Sequence, residues 1–560
     1  MKIFVAQQNY HIGNFEANTA KIIGAIREAK LQGGDLIVFS ELAVCGYPPR
    51  DFLEFDDFIE QSYKAIDAIR KEADIIGVIV GAPTRNPTLK GKDLFNSAYL
   101  LYNESVIGVA HKTLLPTYDV FDEYRYFEPA DEWNVLEFKD KRIALTICED
   151  IWNIGNNPLY RECPMDRLAG QRPDVMINIS ASPFDYLHAE GRMSIIKQNV
   201  ARYKLPMIYC NTVGSQTEIV FDGGSIVMDA MQNLIKEMPY FEEALQSVTL
   251  TDTRNFLEPI VKHAAEIPIA ELMPDEFDDD YDIDEIHQAL ILGIRDYFGK
   301  LGFTKAIIAS SGGIDSAVVL ALACEALGSD NVRALLMPSQ YSTSHSVDDA
   351  EQLSKNLKNH YDIIPIKDIY AAYDQSLKPV FEGLPFNVAE ENLQSRIRGA
   401  LVMALSNKFG AILLNTSNKS ELSTGYGTLY GDMAGGLGVL GDLYKMQVYA
   451  LARYINRNGE IIPQNIIDKA PSAELRPGQK DSDSLPEYNI LDPILYQYVE
   501  RRQGPQDIIA MGFDAALVSR ILKLVNTNEY KRNQFCPIIR VSPKAFGVGR
   551  RVPIVAKYLS

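Results

Sequence analysis

The chain has 560 residues, is 46% hydrophobic and 23% charged, and carries a formal net charge of -19. That is ordinary globular composition, long enough for several domains and for sizeable apolar cores. The acidic balance disfavours a non-specific nucleic-acid binder, and no apolar run reaches the ~18 residues that a membrane-spanning helix needs.

The first part of the chain alternates β-rich runs with helical stretches. Lys2–Gln7, Asp35–Phe39, Ile75–Gly81, Ser97–Tyr102, Val106–Ala110, Arg142–Ile147, Val175–Ile179 and Met207–Cys210 read as strands. Thr19–Leu31 and Phe58–Ala73 have the apolar spacing of amphipathic helices. Residues 274–285, PDEFDDDYDIDE, hold eight acidic residues in twelve, the pattern of a solvated linker or of an acidic surface loop within one domain. The linker reading divides the chain into domains at 1–265 and 286–560, joined by 266–285. The second part opens with a helix at Ile286–Phe298. It then alternates Ala306–Ala309 (strand), Ser316–Leu327 (helix), Val332–Met337 (strand), Val347–Leu357 (helix) and Asp362–Ile366 (strand), a βαβ series that predicts a parallel sheet. Residues 530–560 reverse the charge, with seven Lys or Arg and no Asp or Glu. The start, MKIFVAQQNY, has no apolar stretch of the signal-peptide kind. The six cysteines are scattered and form no CxxC pair, which predicts neither a disulfide framework nor a zinc site and fits a reducing, cytoplasmic compartment.

Three reactive residues each follow an apolar strand: Glu41 after DLIVFS, Lys112 after VIGVAH and Cys148 after RIALTI. A cysteine nucleophile needs a base to form its thiolate and a cation to stabilise the developing oxyanion. Glu41 suits the first role and Lys112 the second. Taken singly, each residue also has a plain reading, Cys148 as a small buried hydrophobe and the other two as surface charges.

Together the segments FSELAVCGYP, HKTLLPTYDVFDEYRYF and ICEDIW resemble the nitrilase, or carbon–nitrogen hydrolase, superfamily over roughly residues 1–265. The resemblance implies an αββα sandwich that hydrolyses an amide through a thioester. It makes Glu41 the base and Cys148 the nucleophile, with Lys112 beside them and Glu123 as a second family glutamate. It also assigns the binding of an amino-acid substrate, L-glutamine, to Tyr118, Ser182 and His188.

The strand Ala306–Ala309 runs into Ser310-Ser311-Gly312-Gly313-Ile314-Asp315-Ser316 and then into a helix. A Gly-rich turn between strand and helix aims backbone N–H groups at an anion. Asp315 is placed to hold Mg²⁺ against the same phosphates. The absence of GK[ST] excludes a Walker A loop, and a Ser/Gly string also reads as an ordinary tight turn.

SGGIDS resembles the PP-loop of the ATP pyrophosphatases, which transfer AMP to an acyl oxygen before a nitrogen nucleophile displaces it. With NTSNKSE, STGYGTLYGD, GDLYKMQVYALARY and PSAELRPGQKDSDSLPEY, the second part resembles the glutamine-dependent NAD synthetases in particular. The implied fold is a doubly wound parallel-sheet ATP pyrophosphatase domain, related to the adenine nucleotide alpha hydrolases. The implied ATP contacts are Ala309, Ser310, Ser311, Gly312, Gly313, Ile314, Asp315, Ser316, Thr416 and Lys445. Deamido-NAD falls to Asn392, Glu421 and Lys531, and Mg²⁺ to Asp315 and Glu421. Asn392 also reads as a helix N-cap, and Lys531 as a solvated helix-end charge. Residues 467–488, with Arg476, Pro477 and Gly478, read as a mobile loop over the site.

The resemblances therefore imply an α/β enzyme that makes NAD from deamido-NAD, ATP and glutamine, and they suggest a homo-oligomer; the composition points to no nucleic-acid or membrane partner. Three other readings stay open: an amidotransferase acting on another acid, an amidase fused to an inactive nucleotide sensor, and a non-catalytic scaffold.

Overall fold

The computed structural model describes residues 1–560 apart from 89, 155–158, 262–276, 279–281, 473, 477, 480 and 560, and apart from the side chains of His188 and Ser344. The chain forms two compact units, Met1–Leu272 and Met273–Ser560. Most of the expected linker lies outside the described residues. Its last residues do not behave as linker. A helix begins at Ile283, where Asp284 and Glu285 sit in the first turn and complement the helix dipole.

The strands of the first unit are β1 (Lys2–Gln7), β2 (Leu36–Val38), β3 (Gly77–Arg85), β4 (Leu94–Tyr102), β5 (Ser105–His111), β6 (Leu136–Phe138) and β7 (Lys141–Ile147). They continue with β8 (Val175–Ser180), β9 (Met207–Asn211), β10 (Val213–Gln216), β11 (Ile219–Asp222), β12 (Ile226–Met228), β13 (Leu234–Glu237) and β14 (Ala244–Thr249). Two six-stranded sheets result, in the orders β14-β1-β2-β3-β4-β5 and β13-β12-β9-β8-β7-β6, and β10 pairs with β11. β1, β2 and β3 run parallel, as do β7, β8 and β9, while the edges are antiparallel.

The alternation of apolar residues builds the layers. Ile3 and Val5 of β1, Leu36 and Val38 of β2, Ile143, Leu145 and Ile147 of β7, and Val175, Ile177 and Ile179 of β8 share one core between the sheets. Their neighbours Phe4, Ile37, Val78 and Val80 face outward onto helices Phe15–Leu31 and Asp56–Glu72. Ala144, Met176 and Met207 likewise meet helices Pro164–Ala169 and His188–Tyr203. Both faces of each sheet are covered, so the central strands read as continuous apolar runs. The result is the expected αββα sandwich.

The second unit holds β15 (Ala306–Ala309), β16 (Val332–Leu336), β17 (His360–Ile363), β18 (Ile412–Asn415) and β19 (Leu437–Gly438) in one parallel sheet, ordered β17-β16-β15-β18-β19. The order reverses between β15 and β18. In open α/β sheets that switch point opens a crevice at the carboxyl ends of the strands. Helix Val388–Phe409 packs Ile397 and Val402 against Ile307, Leu335 and Leu413 of the sheet.

Several boundaries move from expectation. The first helix starts at Phe15 because Asn14 caps it, its side chain accepting from the Ala17 N–H at 3.2 Å. β17 lies at His360–Ile363 rather than Asp362–Ile366, since Pro365 has no N–H for the ladder. The helix after the phosphate loop begins at Ile314, so the loop itself forms its first turn. The helix at His188–Tyr203 and the strands β6 and β10–β14 carry no clear periodic signal and were not expected.

Candidate active sites

The strand ends of the sandwich bring Glu41, Lys112 and Cys148 together in a buried centre. Glu41 follows β2, Lys112 follows β5 and Cys148 follows β7; their exposures are 1%, 0% and 6%. The Lys112 ammonium donates to Glu41 Oε1 and to Glu123 Oε1, each at 2.8 Å. Asn96 Nδ2 donates to Glu41 Oε1 at 2.7 Å, the Ala181 N–H donates to Glu41 Oε2 at 3.0 Å, and the Tyr47 hydroxyl donates to Glu123 Oε1 at 2.7 Å.

The electrostatics follow from this packing. Burial alone pulls the Lys112 ammonium down, but the Glu123 and Glu41 carboxylates outweigh it and hold the group well above its usual value. Burial pushes Glu123 up to about 7, against the pull of Lys112. Burial, reinforced by Glu41 and opposed by Lys112, raises the Cys148 thiol well above its ordinary value. The resting centre therefore favours a neutral thiol beside Glu41 and a charged Lys112, an arrangement that suits proton transfer. Cys148 sits at φ +44°, a left-handed backbone that costs a non-glycine residue about 1–2 kcal/mol and turns its side chain at the strand end.

Tyr118 and Ser182 lie near this centre. The half-exposed Tyr118 donates from its hydroxyl to Glu149 Oε1 and Oε2, both at 3.0 Å, and burial raises the Glu149 carboxyl. Ser182 is buried, and its N–H donates to Asn211 Oδ1 at 2.9 Å. His188 opens its helix, and its side chain lies outside the described part of the chain. Tyr47, Asn96 and Glu149 escaped sequence reasoning. The polar pair Asn96-Ser97, interrupting an otherwise apolar strand, was the available signal.

The second centre is a cavity of about 270 Å³ at the switch point of the parallel sheet. Ala309, Ser310, Ser311, Gly313, Ile314, Asp315, Ser316, Thr416, Glu421 and Lys445 all line it. Gly312 does not line it but shapes the loop. At φ +79°, a Cβ there would lie 2.2 Å from the Ser346 carbonyl oxygen, so no other residue fits. The Ser311 N–H donates to Ser316 Oγ at 3.2 Å, and the Gly313 N–H to Ser311 Oγ at 3.2 Å. Ser310 Oγ is buried with no protein partner, which suits a donor kept for a ligand.

Asp315 anchors the charged side of the cavity. Its Oδ1 accepts from Asn418 Nδ2 at 2.9 Å, and its Oδ2 accepts from Lys445 Nζ at 2.5 Å. Lys445 Nζ also lies 3.8 Å from Glu421 Oε1. Burial and then the Asp315 charge raise the Glu421 carboxyl well above its usual value, with Lys445 pulling the other way. Two carboxylates that strain against each other beside a phosphate loop are a donor set suited to Mg²⁺, which takes one or two carboxylates plus phosphate oxygens.

Asn392 and Lys531 do not line the cavity. Asn392 lies within helix Val388–Phe409, whose N-cap is Asn387, so the capping reading fails; its Oδ1 accepts from Thr428 Oγ1 at 2.8 Å. Lys531 is no solvated charge: its ammonium donates to the Gly425 and Gly427 carbonyls at 2.7 and 2.8 Å and borders a small crevice shared with Glu421. Residues of the expected loop, Lys469, Ser472, Glu474, Leu475 and Asp481, line the cavity, and Glu474 Oε1 accepts from Ser346 Oγ at 2.6 Å. Arg476 pairs with Asp483 at 3.3 Å, while Pro477 lies outside the described residues.

Fold and sites together define a carbon–nitrogen hydrolase joined to an adenylating ligase. The family models agree: Carbon-nitrogen hydrolase matches residues 2–255 and NAD synthase matches residues 286–535. A glutamine-dependent NAD(+) synthetase of Synechocystis sp. is 44% identical over 99% of both chains. That of Thermotoga maritima is 40% identical over 100% of this chain and 99% of its own. The structure of a glutamine-dependent NAD+ synthetase from Acinetobacter baumannii in complex with ADP superposes with TM-score 0.76 at 37% identity, covering 99% of this chain and 98% of that one. The chain belongs to the glutamine-dependent NAD(+) synthetase family.

Proposed function

We propose that the chain hydrolyses L-glutamine at Cys148 and uses the ammonia to convert deamido-NAD to NAD, with ATP consumed to AMP and pyrophosphate. The observation that carries this reading is the pairing, in one chain, of the buried Cys148–Glu41–Lys112 centre with the phosphate-loop cavity at the sheet's switch point.

In the first unit Glu41 takes the Cys148 proton as the sulfur attacks the glutamine carboxamide carbon. The Lys112 ammonium stabilises the oxyanion. Glu41 returns the proton to the departing ammonia and then takes one from the water that cleaves the thioester, releasing glutamate. Tyr118, Ser182 and His188 hold the amino-acid end of the substrate. A buried site favours such charge development because little water competes with Lys112.

In the second unit the loop 310–316 and the Lys445 ammonium hold the ATP phosphates, and Thr416 and Ala309 line the nucleotide. The nicotinate carboxylate of deamido-NAD attacks the α-phosphorus, and pyrophosphate leaves. Ammonia then attacks the carbonyl carbon of the acyl-adenylate, AMP leaves with the C–O bond electrons, and a proton is lost to give the carboxamide. Asn392, Glu421 and Lys531 serve the deamido-NAD side, where Asn392 and Lys531 brace the 425–428 turn. Asp315 and Glu421 would hold Mg²⁺, which supplies charge neutralisation on the phosphates.

Domain limits near 1–265 and 286–560, a cytoplasmic location and self-association belong to the same reading. All six cysteines are free, as in a reducing compartment. Val380, Leu384, Phe386 and Val388 expose apolar surface of the kind that a second copy covers. The testing experiment follows pyrophosphate release from ATP. It should require deamido-NAD; release without it, or ADP and phosphate in place of AMP and pyrophosphate, refutes the reading.

A further inference from the structure

The mechanism above gives no role to Asp150, a buried carboxylate two residues beyond Cys148. Asp150 is 2% exposed, and both its oxygens are committed to backbone. Oδ1 accepts from the Thr113 N–H at 3.0 Å and the Leu114 N–H at 2.9 Å. Oδ2 accepts from the Ile147 N–H at 3.1 Å. Thr113 and Leu114 directly follow Lys112, and Ile147 directly precedes Cys148.

Lys112 and Cys148 come from different sheets. β5 is the edge of one six-stranded sheet and β7 lies in the other. No ladder of hydrogen bonds spans two face-packed sheets, and the apolar core between them is non-directional. Relative sliding of the sheets changes the distance from the Lys112 ammonium to the carbonyl under attack at Cys148. Directional bonds across this gap oppose it. Some lie away from the centre, such as the Ser225 N–H on Gln7 Oε1 at 2.9 Å. At the centre, the Ala181 N–H holds Glu41, but Glu41 is itself the proton carrier. Asp150 bridges there too, and it has no proton-transfer role in the proposed reaction.

We propose that Asp150 is a positioning residue of the glutaminase centre, locking the segment after Lys112 to the turn that carries Cys148. Its two oxygens accept three N–H bonds from two sheets, and only a carboxylate has acceptors on both sides. Burial pushes its carboxyl up to about 7 in spite of those three donors, so a polar group is kept at a desolvation cost where an apolar one would pack more easily. The left-handed backbone at Cys148 needs such a clamp, since φ +44° persists only where its surroundings over-determine it.

The proposal rests on Cys148 being the glutamine nucleophile, and the test separates the two claims. Asp150→Asn keeps the shape but offers an NH₂ group to one set of N–H donors, so one side of the clamp opens. In the full-length chain, kcat for glutamine hydrolysis should fall about 100-fold, the loss expected of a misplacement near 1 Å. KM for glutamine should stay within about threefold, because the contacts to the amino-acid end are untouched. Alkylation of Cys148 by iodoacetamide, followed by peptide mass spectrometry, should slow about tenfold. Ammonium-dependent NAD synthesis should stay within about twofold, which also reports that the chain has folded. Should the Asn variant be insoluble, Asp150→Glu, which keeps the charge on a longer arm, is read by the same criteria. Unchanged kcat overturns the proposal, as does a rise in KM alone or an equal loss of ammonium-dependent synthesis. Cys148→Ala runs alongside: if it still makes NAD from glutamine, the underlying reading fails, whereas normal behaviour of the Asp150 variants alone sinks only the clamp.

Discussion

Replacing Lys112 by Met tests the first centre where its charges are most tightly balanced. The ammonium is fully buried and lies 2.8 Å from one oxygen of each of Glu41 and Glu123. At an effective dielectric near 20, each such contact amounts to roughly 6 kcal/mol of Coulomb attraction. The variant does not lose the sum, because carboxylates left alone take up protons, and Glu123 already titrates at about 7. The net destabilisation should be that of breaking a buried pair from one side, about 3–5 kcal/mol. For a unit of this size that is a fall of roughly 6–20 °C in the melting transition of residues 1–272. Glutamine hydrolysis loses its oxyanion cation and should drop about 100- to 1000-fold or more. Ammonium-dependent NAD formation, assayed below the lowered transition, should persist. Calorimetry with parallel assays on the two nitrogen sources reads all three effects. An unchanged melting temperature together with near-normal glutaminase turnover would refute the reasoning.

Asp315→Asn should abolish NAD synthesis from either nitrogen source, since an amide is a poor hard-cation ligand and a poor partner for Lys445, while glutamine hydrolysis persists at least in part; steady-state assays of both half-reactions check this, and normal synthesis with ammonium would count against it. Burial raises Glu123 to about 7, so between its unfolded value of 4.5 and about 7 the folded state holds a proton that the unfolded state has lost. Stability from this group is therefore present below pH ~4.5 and falls as pH rises towards 7, by about 1.4 kcal/mol per pH unit. Glu123→Gln should flatten that slope in melting curves taken from pH 5 to 7, and superimposable slopes would show that Glu123 does not titrate there.

Much of the architecture was legible because its signals are local. The continuous apolar runs of β1, β7 and β8 announce strands covered on both faces, and SGGIDS between β15 and its helix announces the phosphate turn. Glu41, Lys112 and Cys148 could be picked out because each stands at the abrupt end of such a run. Their partners could not. Asn96 sits mid-strand, Tyr47 lies in a loop, and Asn418 reads as an ordinary helix cap; only the pairing of distant segments shows that they hold Glu41, Glu123 and Asp315. For Asn392 only the alternative reading as a helix cap fails: Asn387 caps the helix and leaves Asn392 to accept from Thr428. The helix at His188–Tyr203 was hidden by charged and small residues on its outer face, since its apolar side is narrow.

The most direct test of the central claim labels the amide nitrogen of glutamine with ¹⁵N and adds unlabelled ammonium in competition. Wild type should place ¹⁵N in the carboxamide of NAD, because ammonia released at Cys148 is what attacks the adenylate. Cys148→Ala should form NAD from the unlabelled ammonium alone, faster as pH rises and free ammonia accumulates. ¹⁵N in the product of Cys148→Ala would contradict the account, for it would place glutamine hydrolysis somewhere other than the centre built by Glu41, Lys112 and Cys148.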